Sequence, residues 1–342
     1  MATTRVEERS CATLTGFILG DCLAMPTAGM SPSQVVETYG MISGIGAPHE
    51  SQPLHAGKRA GEPTFVTTLM LRYGIHLAKH GTIKPGLLVE DIVTWERKAS
   101  RRLEAQSDCA PPLFTLSTMK EKRYPTRATL FPATSIAGAI TIGLACARET
   151  DPERLHRMVS GMCQVLDGTA TLWQSATLVA NVVRAGLRGA TVKDALDIAI
   201  ADTAEAHADG SWSPGASVLT RTLEAIDNAE NLSPSSLSTY LVSAVGVSDT
   251  VTEAIPAAFA LASAYSESPF LGLCTGAQLG GASSTISALT GAIFGACHGK
   301  SAFPDDQIDL IDSAVIDQAA QLARALLPAE ASAHVQRPNQ AR

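Results

Sequence analysis

Aromatic residues are scarce in this 342-residue chain: Phe, Trp and Tyr make up 5% of it, while hydrophobic residues as a whole make up 45%. A core so short of rings has to be filled with Ala, Leu, Ile and Val, which suits helices packed at close range. Basic clusters are missing too. The formal net charge is −7 with no Lys/Arg-rich stripe, so the chain lacks the clustered cations that neutralise nucleic-acid phosphates. No uninterrupted apolar run reaches bilayer-spanning length, because the longest ones are broken by Ser, Thr, Gly or charge. The first ten residues do not have the charged-then-apolar build of a signal peptide. Seven cysteines, at positions 11, 22, 109, 146, 163, 274 and 297, are odd in number and form no CxxC pair. Most fall in apolar stretches, where a free thiol behaves as a small hydrophobe. These absences predict a soluble, cytoplasmic protein that binds neither nucleic acid nor membrane. Chemistry signatures are equally thin: there is no Ser/His/Asp or Cys/His pattern and no phosphate-cradling GxxxxGK[ST] loop.

What is present is helical patterning. Apolar residues recur at helical spacing over 13–24, 67–80, 86–102, 135–148, 152–166, 171–186, 191–208, 215–230, 253–266, 269–276, 285–297 and 305–327. Alternation of the strand type is almost absent. The expected fold is all-α, one domain over 11–327, with a disordered polar tail over 328–342. Two stretches resist assignment. Residues 42–63 form a loop punctuated by Gly and Pro, and 107–132 form a second loop carrying Lys120, Lys122, Arg123 and Arg127. Long loops in a compact helical domain are usually functional or disordered.

The segment Gly280-Gly281-Ala282-Ser283-Ser284-Thr285 has the frame of a ligand loop opening a helix. The glycines permit a tight turn and Ser283 or Ser284 is a possible cap. The helix beyond it is rich in small residues at 288, 291, 292, 295 and 296, which allows close packing. A purely structural role fits that segment equally well.

Four separated blocks occur in order: Gly16-Phe-Ile-Leu-Gly-Asp-Cys-Leu-Ala-Met-Pro26, Gly61-Glu-Pro-Thr-Phe-Val-Thr-Thr-Leu-Met-Leu71, Glu253-Ala-Ile-Pro-Ala-Ala-Phe-Ala-Leu-Ala262, and 279–299. Together they resemble the ADP-ribosylglycohydrolase family, which includes the dinitrogenase-reductase-activating glycohydrolases. The likeness runs from about residue 11 to 325. It implies a compact orthogonal helical fold with a central two-metal site. At that site the chain departs from the pattern. The Glu closing the family's first block falls at Ala28. The family's Thr-Asp-Asp-Thr falls on Thr64, Phe65, Val66 and Thr67, and its Gly-Gly-Asp-x-Asp-Thr falls on residues 280–285, so Ala282 and Ser284 replace two more Asp. The Asn-Gly and Met-Arg motif is not recognisable near Arg127, and a family His falls at Val165. Hard dications need several oxygen ligands, supplied mainly by carboxylates. No metal or cofactor is therefore expected.

Within the implied cleft, Asp21 beside Phe65 and Val66 would be desolvated and its pKa raised, which suits a general acid or base. It could equally be a structural carboxylate accepting backbone N–H groups. His55 and Glu50, on the loop leading to Thr64, are further proton-transfer candidates; a solvated loop is the plainer alternative. Thr64, Thr67, Ser283, Ser284 and Thr285 would form a hydroxyl rim for a sugar or carbonyl, with Phe65 and Val66 as its apolar wall. Arg127 could hold an anionic substrate group. Two functions stay open. One is a metal-independent enzyme acting by acid–base catalysis on a small nucleoside-like, glycosyl or cyclising substrate, with a specialised bacterial biosynthetic pathway as the expected setting. The other is a non-catalytic binding or structural protein on the same scaffold. A small molecule is the expected partner in the first case, and the oligomeric state is not readable.

Overall fold

In the computed structural model, residues 2–103, 133–166 and 168–327 are described. They form α1 (Ala2–Ala24), α2 (Pro32–Tyr39), α3 (Phe65–His80), α4 (Pro85–Leu103), α5 (Gly138–Ala145), α6 (Glu153–Val165), α7 (Ala170–Leu187) and α8 (Val192–Glu205). The second half adds α9 (Val218–Ala229), α10 (Pro234–Tyr240), α11 (Val251–Ala264), α12 (Pro269–Gln278), α13 (Ser283–His298), α14 (Asp305–Ile308) and α15 (Ser313–Leu326). Short 3-10 turns lie at Met25–Thr27, Ala133–Ile136 and Gly299–Ala302. Among the described residues there is no β-strand, only an isolated bridge between Thr169 and Ser211. The all-α reading holds.

Helix α13 is the axis of the molecule. Nearly every one of its residues is buried, from Ser283 to Cys297, and its most extensive partner is α1. The two helices can approach so closely because glycines face each other. A Cβ on Gly16 would lie 2.3 Å from the Gly291 carbonyl oxygen, and one on Gly291 2.0 Å from that of Gly16. Around this pair α7, α11, α12 and α15 complete a core of Leu, Ile, Val and Ala, with Trp173, Tyr73, Phe17, Phe259 and Phe294 as its largest fully buried side chains. Few rings suffice because the helices meet backbone to backbone.

The helix spans differ from the sequence reading in places with clear causes. Helix α1 begins at Ala2 rather than 13, and its early turns carry Arg5, Glu7, Glu8 and Arg9 in place of a continuous apolar stripe. Helices α2 and α10, only 8 and 7 residues long, were too short to show a period. Each nevertheless opens with a Ser cap followed by Pro, at Ser31-Pro32 and Ser233-Pro234. The run expected as one helix over 305–327 is broken, with Asp312 capping α15 through the Ala314 amide. Residues 42–63 are irregular as expected. The 107–132 loop with Arg127, and the 328–342 tail, lie outside the described residues. Among the described residues no single helix is long and apolar enough to cross a membrane.

Candidate functional site

A cleft of about 520 Å³ opens where the N-termini of α3 and α13 meet the Ala133–Ile136 turn and the loop before α11. Pockets of a few hundred Å³ are the size that small-molecule ligands occupy. Its apolar wall is Ala28, Leu54, Phe65, Val66, Leu69 and Ala282; its polar groups are His55, Thr64, Thr134, Ser135, Ser248, Asp249, Ser284 and Thr285. The Gly280-Gly281 turn shapes one side. Both glycines have positive φ, 68° and 54°, and added Cβ atoms would lie 2.2 Å from the Met30 oxygen and 2.4 Å from the Val247 oxygen. Main-chain bonds lock this junction: Gly281 N–H donates to Met30 O (2.9 Å), Gly29 N–H to Gly281 O (2.7 Å) and Ala282 N–H to Val247 O (2.7 Å).

Asp21 does not face the cleft. It is fully buried on α1, and its carboxylate accepts from the Thr64 hydroxyl (2.7 Å), the Thr64 amide (2.8 Å), the Thr67 hydroxyl (2.7 Å) and the Thr67 amide (3.3 Å). The Thr64 hydroxyl in turn accepts from Val66 N–H as the α3 cap. Burial pushes the Asp21 pKa up, against the pull of these four bonds. With all four donors spent on it, Asp21 is a pin joining α1 to the start of α3. Of the two roles open for this residue, the geometry fits the structural one. Thr67, 1% exposed, shares that role and stays behind the wall. Ser283 is also withdrawn: it is fully buried and bonded to Thr27 Oγ1 (3.0 Å) and Ala24 O (3.2 Å).

The carboxylate that does line the cleft is Asp249, which the sequence reading passed over. It accepts from the Thr134 amide (3.0 Å) and from the Thr134 hydroxyl, at 3.1 and 3.0 Å to its two oxygens. Thr134 Oγ1 lies 2.8 Å from Thr285 Oγ1, on the first turn of α13. Desolvation lifts the Asp249 pKa to about 6, in spite of the bonds from Thr134 and Thr285 that favour its ionised form. Nothing near Asp249 in sequence announces this. It lies 115 residues from Thr134 and acquires its setting only from tertiary packing.

His55 reaches the cleft and Glu50 does not. Gln52, 3% exposed, anchors the loop by donating to Ala28 O (2.7 Å) and accepting from the amides of Leu54 and His55. Desolvation and nearby Lys58 depress the His55 pKa to about 4, so its ring is neutral at neutral pH. Glu50 is exposed and outside the lining. Of the expected site residues, then, the cleft gathers His55, Thr64, Phe65, Val66, Ser284 and Thr285.

Phe65, Val66, Ala28 and Ala282, at positions where the family pattern has carboxylates, offer no ligand atom. Asp21 is saturated, and Asp249 is the one carboxylate among the described lining residues. This donor set does not fit a pair of hard dications, which take six or more oxygens each. Away from the cleft, His76, His80 and Asp91 bring ligand atoms within 4.8 Å of one another. There the Lys84 amide donates to His76 Nε2 (3.2 Å), so Nδ1 carries the proton and donates to Asp91 (2.8 Å). A metal on Nδ1 would force a proton onto Nε2, against the Lys84 N–H.

The fold is therefore all-α, of the ADP-ribosylglycohydrolase-like type, with its cleft at two helix N-termini. The family model described as ADP-ribosylglycohydrolase matches residues 2–335, and the chain belongs to that family. A solved chain described as an ADP-ribosylglycohydrolase-related protein complex shares the fold, with a TM-score of 0.61 and 18% identity over 95% of this chain and 100% of its own. No curated protein matches the chain.

Proposed function

We propose that this chain is an ADP-ribosylglycohydrolase-fold enzyme that works without the family's two metals. It acts on a small nucleoside-like, glycosyl or cyclising substrate by acid–base catalysis, as one step of a specialised biosynthetic pathway. The observation that carries this reading is Asp249: a carboxyl in an open, largely apolar cleft, oriented by Thr134 and Thr285, with a pKa of about 6. A group that titrates near the working pH can both take and return a proton. Neutral His55, whose conjugate acid is too strong to persist at pH 7, serves as a hydrogen-bonding partner for the substrate. Phe65, Val66 and Leu69 exclude water from the reacting end.

One observation favours a second reading, a binding protein without chemistry: Asp21 is spent on holding α3. The experiment is turnover of a panel of ribosides, glycosides and cyclisable nucleosides, followed by mass spectrometry with chelator present. Product formation that persists in chelator and falls at least a hundredfold in Asp249→Asn supports the enzyme. Turnover that Asp249→Asn leaves intact, or that chelator abolishes, refutes it. Binding of panel members with no turnover establishes the second reading.

A further inference from the structure

Helix α13 begins at the cleft with an unusual combination. Its cap position is Ala282, whose methyl group cannot accept from the first-turn amides. No side chain caps those amides, which stand at the positive end of a 16-residue helix. Ser284, at its second position, lines the cleft, is 5% exposed, and its hydroxyl is buried without a hydrogen-bond partner. Leaving such a hydroxyl unpaired is costly, and rotation about its χ1 is cheap. In the family pattern Ala282 and Ser284 stand where two Asp would face a cation, so exchanging them for a methyl and a hydroxyl reverses the polarity of this helix end. Donors now point where acceptors would stand.

What accepts from them is constrained by the neighbours. The described lining residues include no Lys or Arg, which argues against a phosphate. Asp249 is joined to the same first turn through Thr134 and Thr285, which argues against a second anion beside it. The remaining wall is apolar. We infer that the N-terminus of α13 and the Ser284 hydroxyl receive the neutral carbonyl oxygen of the substrate, with its apolar body against Phe65, Val66 and Leu69. This deepens the proposed reading of the cleft and rests on it. The substrate class becomes an uncharged amide, lactam, ester or nucleobase carbonyl, held by donors that strengthen if negative charge develops on that oxygen.

The test uses the full chain and four probes: benzamide, benzyl alcohol, benzoate and ADP-ribose, with affinities from ligand-observed NMR titration. Benzamide is expected to bind most tightly of the four. Ser284→Ala is expected to weaken benzamide about two- to tenfold, the loss that follows from one neutral hydrogen bond, while changing benzyl alcohol less. The substitution removes no bond within the protein, so its melting temperature should not fall. Benzamide that fails to bind, or binds equally to Ser284→Ala, overturns the inference, as does tighter binding of benzoate or ADP-ribose. Asp249→Asn separates the two proposals: if it leaves turnover unchanged while amide binding still depends on Ser284, the catalytic reading falls and this one stands. If it abolishes turnover while Ser284→Ala has no effect on binding, this one alone falls.

Discussion

Two residues of the cleft, Asp249 and His55, titrate on opposite sides of their ordinary values, and both shifts are caused mainly by burial. Their effects on stability have opposite signs. Folding holds a proton on Asp249 up to about pH 6 instead of the ordinary 3.8, so its contribution to stability is lost as pH rises through that window. Folding strips the proton from His55 down to about pH 4 instead of 6.5, so its contribution is lost as pH falls through the range between. Over pH 4 to 6 the two should partly cancel. Thermal melts across that range are expected to show that Asp249→Asn makes the melting temperature climb more steeply with pH than in the unaltered protein. His55→Gln should do the reverse. Identical pH slopes in all three proteins would show that neither group feels its burial. Asp249 could not be singled out from the sequence because Val247-Ser-Asp-Thr250 has no motif spacing; His55 was within reach because its loop leads directly into Thr64. Glu50 shares that loop but is exposed, on the turn before the anchoring Gln52, where His49 N–H is held by the Tyr39 hydroxyl.

The helices were legible wherever an apolar face repeated over three or more turns, as in α3, α7 and α13. Reading failed where a helix was charged at its start, as in α1, or was only two turns long, as in α2 and α10. The small-residue pattern of α13 gave its close packing in advance, though not the identity of its partner. That contact is where substitution should be felt most. Gly291→Ala puts a methyl 2.0 Å from the Gly16 carbonyl oxygen, with backbone on both sides and no flexible side chain to yield. A loss of about 1–3 kcal/mol is expected from overpacking of this kind. Gly86→Ala at an exposed position of α4, where an added Cβ meets nothing within 4 Å, should instead be neutral or slightly stabilising. Denaturant melts of the two variants compare them directly, and equal midpoints would contradict the packing account.

On the scale of the whole molecule, the chain has the family's fold, while the side chains at the positions of the family's ligand carboxylates are Ala28, Phe65, Val66, Ala282 and Ser284. Sequence blocks identified the scaffold because glycines, prolines and small residues fix how the helices meet. They could not identify the lining of the cleft, which draws on residues 54–55, 64–66, 69, 134–135, 248–249, 281–282 and 284–285 from segments far apart in the chain. Since several ligands are missing together, restoring one should not restore a dication site. Phe65→Asp or Ala282→Asp alone is expected to show no Mg²⁺ binding by calorimetry and no Mg²⁺-dependent release of ADP-ribose; either gain in a single variant would mean that the ligand set is more complete than the described residues indicate. The main-chain fastening of the Gly280-Gly281 turn to residues 29–30 and 247 has a practical corollary. Peptide groups, rather than the side chains facing the ligand, hold that mouth in shape. Randomised libraries at Phe65 and Ser284, neither of which takes part in that fastening, should therefore yield mostly folded proteins, whereas Val66 and Leu69 belong to the core and have to be kept apolar.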